Sequence, residues 1–361
     1  MGGGLAGSLL AWQLARSAPG EQVDLVLGNR CRTDATAASG GAVRGYETDP
    51  RQRALALASL AELLASPTLR RWSGFRPAES FYLPERPGQR LAAELAEIEA
   101  AVPGSASLVP AAELARRGWA RLPAGAVAVR ERRAGYLVPG RLRDALLGDA
   151  AVRRRVRLLP AALVAVRLRP GAGVRCRVAG RERDYDRLVI AAGAWTGAVL
   201  AMAGLPASGF HTKSIQYTVY RVDGWRPPMF VDEPLVCYGR PQAGDQLLLG
   251  VPTDQWGVDP DRPPTTPELP DLAVHRARTR FPGLRIGPAT RTVGSVDCYT
   301  DQPTLSLSAV PGTGDRAFTF TGGAGGCVKT ALAASRDAAV WLVGPGDRSA
   351  LVPLGPREGQ P

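Results

Sequence analysis

The chain has 361 residues, 45% of them hydrophobic, enough for a large core and for two domains or one large α/β unit. Its formal net charge is +12, but apart from Arg153-Arg154-Arg155 the basic residues are spread along the chain, so a nucleic-acid partner is not expected. No run of about 18 apolar residues suggests a membrane span. The five cysteines (Cys31, Cys176, Cys237, Cys298, Cys327) lack C-x-x-C or metal-ligand spacing, so the expectation is reduced thiols, no metal and a cytoplasmic location.

The first stretch, Gly2-Gly3-Gly4-Leu5-Ala6-Gly7, fits G-x-G-x-x-G through Gly2, Gly4 and Gly7. In a dinucleotide-binding turn the first glycine makes the bend, the second lets backbone approach the pyrophosphate, and the third lets helix and strand pack closely. The apolar run from Ser8 to Ala15 reads as the following helix, ending at Pro19-Gly20, and 22–27 (QVDLVL) reads as the next strand. Only Met1 precedes Gly2, so a truncated first strand is expected, with about six to eight apolar residues belonging upstream. Where the second strand ends, an acidic residue usually holds the ribose; here Gly28-Asn29 takes that place, and Asn29 is the candidate ribose contact.

Thr36 to Arg44 reads as a small-residue loop carrying Ser39 and Arg44, and Pro50 to Ala65 as an amphipathic helix. A short strand at Phe81-Tyr82-Leu83, helices over 90–101 and 110–117, and an antiparallel strand pair within 126–138 read as an insertion. After Pro139 a helix over 141–147 leads to a strand-like run over 155–166, which includes Val164. A hairpin pairing VRCRV with DYDRLVIAAGAW comes next. Leu188 to Ala192 reads as a buried parallel strand delivering Gly193-Ala194-Trp195 to a ligand. The runs SIQYTVYRV, LVCYG and QLLLGVP, with a helix over 271–281, suit an antiparallel sheet forming a lid. Phe318-Thr319-Phe320, the cluster Gly322-Gly323-Ala324-Gly325-Gly326 and a helix over 330–342 close the chain. Glycine amides ahead of a helix favour an anionic or electron-rich group.

Lys213 and Lys329 are the only lysines among 45 basic residues, and a lysine kept where arginine is otherwise used marks a need for a primary amine. Of the two histidines, His275 is expected on an exposed helix face, and His211 opens a strand of the lid sheet.

Three stretches in order, GGGLAG, LVIAAGAWTGAVL (188–200) and DCYTDQP (297–303) with TGGAGGCVK (321–329), resemble FAD-dependent amine oxidoreductases of the D-amino-acid oxidase type, nearest to monomeric sarcosine oxidase and N-methyltryptophan oxidase. The resemblance implies an α/β fold with a discontinuous Rossmann-like FAD-binding domain (1–77, 139–205 and 294–361). It also implies an inserted α+β substrate domain on an antiparallel sheet (78–138 and 206–293) roofing the flavin. The cofactor contacts it implies are Gly2, Gly4, Leu5, Ala6, Gly7, Asn29, Ser39, Arg44, Val164, Ala192, Gly193, Trp195, Gly322, Gly323, Ala324, Gly325, Gly326, Cys327 and Lys329. Lys329, Tyr238 and Arg240 are the catalytic or substrate-side choices.

Two departures qualify the resemblance. Aligning Tyr299-Thr300 places Asp297 where sarcosine oxidases carry a flavin-linked cysteine and puts Cys298 one residue late, on the opposite strand face, so noncovalent FAD is expected. The lysine that assists oxygen falls on Leu248 and a site histidine on Pro252, which leaves the acceptor open between oxygen and another oxidant. The expected reaction takes a hydride from a carbon next to an amine nitrogen of a small amine or amino-acid-like substrate, in a catabolic or a secondary-metabolism tailoring role. Dehydrogenation of a 2-hydroxy acid and a degenerate, non-catalytic binder are the alternatives.

Overall fold

In a computed structural model of the protein, the described residues are 1–18, 20–28, 34–86, 88, 90–161, 163–169, 173–323 and 325–344; the side chains of 163 and 164 are outside the description.

The chain forms two sheet systems that face each other across a cavity. In the first, Val23–Val26 pairs in parallel with Val156–Leu159, and Leu188–Ile190 pairs in parallel with Ala317–Thr321. Met1 to Gly3 fills the slot between these pairs: the Gly2 N–H donates to Val26 O at 2.8 Å, the Met1 amino group to Val189 O at 2.7 Å and the Ala191 N–H to Met1 O at 2.7 Å. This short extended segment therefore stands where the sequence calls for the central strand. Two long-range helices cover the sheet. Leu5–Ser17 and Ala331–Val343, with Pro139–Gly148, share a core of Leu9, Leu10, Trp12, Leu142, Phe318 and Leu332.

The second system is an eight-stranded sheet, ordered from Arg285–Thr300 through Phe210–Asp223, Gln246–Gly250, Cys237–Pro241, Met229–Asp232, Ser80–Leu83 and Val127–Glu131 to Ala106–Pro110. Every neighbouring pair is antiparallel except Met229–Asp232 with Ser80–Leu83, which is parallel. Strands from two separated stretches of sequence thus build one roof. Its outer face packs on the helix Leu269–Arg280 through an aromatic cluster of Phe81, Trp119, Phe230 and Phe281. Within that core, Arg280 and Asp232 form an enclosed ion pair at 2.5 Å, and Arg280 also donates to Ala120 O and Arg121 O at 2.7 Å. A buried guanidinium is tolerable only when its donors are met in this way.

Most sequence-expected elements appear within a few residues of their expected ends, for example Pro50–Ala65 and Leu91–Ala101. Two expectations need correction. The 126–138 stretch is not a strand pair: Val127–Glu131 lies in the roof, whereas Gly135–Tyr136 crosses to pair with Ala42–Val43 and Arg76–Pro77. A Cβ at Gly135 would sit 2.3 Å from Arg76 O, so the bare glycine lets these backbones meet. The hairpin after Val174–Val178 closes at once on Arg181–Tyr185, its turn holding Ala179 at φ 50° and Gly180 at φ 75°, and leaves Leu188–Ile190 to the parallel sheet. Among the described residues, no helix is long and apolar enough to cross a membrane.

Candidate active site

The floor of the cavity is made of backbone. Gly2 takes φ +125°, and a Cβ there would meet Ala191 O at 2.0 Å; one at Gly7 would meet Gly2 O at 2.1 Å. Both positions are closed to side chains because the chain packs on itself. Gly4 is different, with only Thr36 Oγ1 near its Cβ position, and it is the N-cap of the helix Leu5–Ser17. That helix carries no acidic residue in its first turn, and Thr36 Oγ1 accepts from the Leu5 N–H at 2.9 Å. Its positive end therefore reaches the cavity without a carboxylate to neutralise it, as a phosphate site requires.

The second glycine turn comes from the far end of the chain. Gly322, Gly323, Gly325 and Gly326 all have positive φ, from 64° to 110°. A Cβ at Gly325 would lie 2.7 Å from Tyr299 Oη, and one at Gly322 would lie 2.5 Å from Thr300 Cγ2, so this turn is pressed directly against the roof strand. The Cys327 thiol donates to Gly322 O at 3.0 Å, and burial pushes that thiol up to about 12. Both glycine turns line one cavity of about 890 Å³, together with Ser39, Arg44, Ala192, Gly193, Trp195 and the roof.

Charge beside the second turn is concentrated in a buried trio. Glu47 Oε1 lies 2.7 Å from Lys329 Nζ and 2.9 Å from Arg44 Nη1, and Arg44 also stacks over the Tyr82 ring at 4.7 Å. Glu131 accepts from the Gly45 and Tyr46 N–H groups at 2.6 and 3.0 Å, which fixes the segment that presents Arg44 and Glu47. Burial raises the Glu131 carboxyl and lowers the Lys329 ammonium; the nearby Glu47 opposes the latter shift. Arg44 and Lys329 set two cations beside the second turn, partly offset by Glu47 and Glu131, where the flavin edge would gain negative charge on reduction.

The roof supplies side chains. Tyr238 is half-buried, its hydroxyl donates to Gln216 O at 3.4 Å, and Gly250 makes room for its ring: a Cβ there would sit 2.3 Å from Tyr238 Cζ. Leu248 is buried against Tyr217 and Tyr238. Asp297 and Tyr299 share a face of their strand, and Asp297 is the register partner of Lys213. The Lys213 ammonium lies over Trp256 at 4.5 Å and Tyr299 at 5.7 Å. Cys298 is buried, with its thiol pushed up to about 12 by desolvation and in hydrogen-bond contact with Thr321. A high-pKa thiol engaged in this way is poorly prepared for bond formation.

Several sequence-based candidates receive a definite place. Arg240 lines the cavity, but its guanidinium is engaged: Nε donates to Gly40 O at 2.5 Å, Nη1 donates to Pro241 O at 3.0 Å, and the group stacks over Tyr136 at 4.2 Å. It ties the roof to the 39–41 loop. Trp195 donates from Nε1 to Asp261 at 2.9 Å. Both histidines are exposed, and neither belongs to the cavity wall. Asn29 and Ala324 lie outside the described residues, as does the side chain of Val164, whose backbone belongs to the strand Leu163–Leu168. Glu47 and Glu131 were not foreseeable as site residues: Arg44 is only three positions from Glu47, but Lys329 is 282 positions away, and the Gly45 and Tyr46 N–H groups that Glu131 accepts from are 86 and 85 positions away. No cluster of three or more metal-ligating side chains exists among the described residues.

These residues fit FAD: a carboxylate-free helix terminus beside a glycine bend can take the phosphates, and a second glycine turn flanked by cations can face the flavin. Solved structures share the fold. The chain superposes on glycine oxidase from Geobacillus kaustophilus with a TM-score of 0.74 at 20% identity, covering 99% of this chain and 98% of that one. On iminodiacetate oxidase from Chelativorans sp. BNC1 the TM-score is 0.74 at 19% identity, covering 98% and 99%. On NikD, an amino acid oxidase essential for nikkomycin biosynthesis, it is 0.73 at 17% identity, covering 98% and 95%. No curated protein sequence matches at a significant level. The family model "FAD dependent oxidoreductase" (DAO) matches residues 1–341, and the chain belongs to that family.

Proposed function

We propose that the protein oxidises a small amine or amino-acid-like substrate, removing a hydride from the carbon next to nitrogen and leaving an imine. FAD, when bound, supplies the two-electron acceptor. Glycine backbone fixes the cofactor from below, while Tyr238, Tyr299 and Leu248 shape an apolar chamber above it that orients the substrate and excludes water. The Arg44–Glu47–Lys329 wall favours negative charge on the reduced cofactor.

The observation that carries the amine reading is the placement of the bases. Taking a hydride from a hydroxy acid also requires a base able to accept an alcohol proton. Both histidines lie outside this cavity, and the carboxylate on its wall, Asp297, is matched to an ammonium proton and far too weak a base for an alcohol. A neutral amine already carries the lone pair that expels the hydride and needs far less proton chemistry. Three structural neighbours, glycine oxidase, iminodiacetate oxidase and NikD, are oxidases of amino compounds and support the same reading.

Leu248 stands where the resemblance places an oxygen-assisting lysine, so slow use of oxygen and a preference for another acceptor are part of the proposal. The enclosed, engaged Cys298 supports noncovalent FAD. We assign the cofactor-holding part to 1–77, 139–205 and 294–361 and the substrate part to 78–138 and 206–293. The test is an anaerobic screen of FAD-loaded protein against amines and 2-hydroxy acids, following flavin absorbance near about 450 nm. Bleaching by an amine is expected; bleaching by hydroxy acids alone overturns the reading.

A further inference from the structure

The cavity holds one carboxylate that its surroundings do not explain. The buried acids have partners: Glu47 has Lys329 and Arg44, Glu131 has two backbone N–H groups, and Asp232 has Arg280. Asp297 lines the cavity, is half-buried, and receives no hydrogen bond or ion pair among the described residues. The titratable groups around it are Lys213 on the neighbouring roof strand, Tyr238 two strands further on, Tyr299 on the same face of its own strand, Cys298 on the opposite face, and Cys327 from the glycine turn. Lys213 is its register partner, yet the ammonium is turned onto Trp256 and Tyr299. A carboxylate left unpaired on the wall of a largely apolar cavity is a ready partner for a cation that enters it.

Resting on the amine reading above, we propose that Asp297 is the counter-ion for the substrate's protonated amine and the base that takes its proton before hydride transfer. The ammonium N–H bond breaks, an O–H bond forms on Asp297, and the pair from the N–H bond stays on nitrogen as the lone pair that drives C–H cleavage. The proton leaves to solvent after product release. Desolvation sets the carboxyl at about 6 when no cation is near, within reach of neutral pH.

The test uses FAD-loaded protein, as wild type, Asp297→Asn and Asp297→Glu, with tetramethylammonium as a cation that cannot lose a hydride and tert-butanol as its neutral counterpart. Flavin absorbance reports binding. In the wild type, tetramethylammonium should bind about tenfold tighter per pH unit below the carboxyl midpoint and level off above it. Asp297→Asn should flatten that profile and weaken binding at least tenfold at pH 8, Asp297→Glu should restore the pH dependence, and tert-butanol should not discriminate. With an amine that bleaches the wild-type flavin, Asp297→Asn should shift the pH profile of anaerobic reduction upward by a unit or more. Equal tetramethylammonium affinity and equal pH profiles in wild type and Asn would overturn the proposal while leaving amine oxidation intact. Absence of bleaching by every amine would instead overturn the functional reading, and the tetramethylammonium profile would still judge the Asp297 charge site.

Discussion

The floor and the roof of the cavity are built on opposite principles. On the floor the contacts come from backbone, and its essential residues are those with no side chain: Gly2, Gly7 and Gly325 sit where any Cβ would lie 2.7 Å or less from another atom. On the roof the contacts come from side chains held in register by long strands, so one residue can be exchanged without disturbing its neighbours. Invariant chemistry, the gripping of a cofactor, suits the first arrangement, and variable chemistry, the choice of substrate and acceptor, suits the second. Asp297, at the position the resemblance assigns to cysteine, and Leu248, at the position it assigns to lysine, are both roof residues.

The sharpest way to break this contrast is a single methyl on the floor. Gly2→Ala places a Cβ 2.0 Å from Ala191 O at a φ that alanine avoids, and should give a protein that is purified without FAD and melts well below the wild type. An alanine at Gly204, where no atom lies within 4 Å of a Cβ, should leave the bound flavin in place despite its positive φ. Absorbance and a melting curve decide both.

Next in size is the support of the roof. Asp232→Ala leaves Arg280 charged and enclosed, which costs about 3–5 kcal/mol and should be visible in urea unfolding. FAD affinity should change much less than stability if floor and roof are separable.

Acceptor choice comes third. Leu248→Lys should raise the rate of reoxidation by oxygen in stopped flow by about tenfold or more, at some loss of stability from burying an amine. Unchanged reoxidation would show that a roof cation does not set the acceptor.

The pH dependence of stability gives a smaller but signed effect. Asp297 has a folded-state pKa raised from 3.8 to about 6, so its contribution to stability is present below the lower value and is lost as pH rises through the higher one. Wild type should therefore lose stability relative to Asp297→Asn between about pH 4 and pH 6. Smallest is Asp49→Ala, which removes the cap that accepts from the Gln52 N–H at 2.8 Å and should cost about 1 kcal/mol without touching the flavin.

The same contrast explains what the sequence made legible. Floor residues announce themselves locally: a glycine pattern followed by an apolar helix is readable within a dozen positions, and both Gly2 to Gly7 and Gly322 to Gly326 were found that way. Lys329 stood out by scarcity, by following the glycine cluster and by the resemblance. Roof and wall chemistry depends on register between distant strands. Nothing near Glu47 reveals that it meets Lys329, and Asp297 could be noticed only as a misplaced residue in a cysteine motif. Arg240 was read as a substrate-side residue; it lines the cavity, but its local sequence could not show that Gly40 O and Tyr136 already occupy the guanidinium. The 126–138 stretch misled because alternation specifies a strand and not its partner.

The most direct test of the account is to titrate the purified, flavin-stripped protein with FAD and then add amines without oxygen. The account predicts saturable uptake giving a yellow protein that an amine bleaches, with both steps lost in Gly2→Ala. A wild-type protein that stays colourless with excess FAD, or one that binds it and is bleached by no amine, would contradict it.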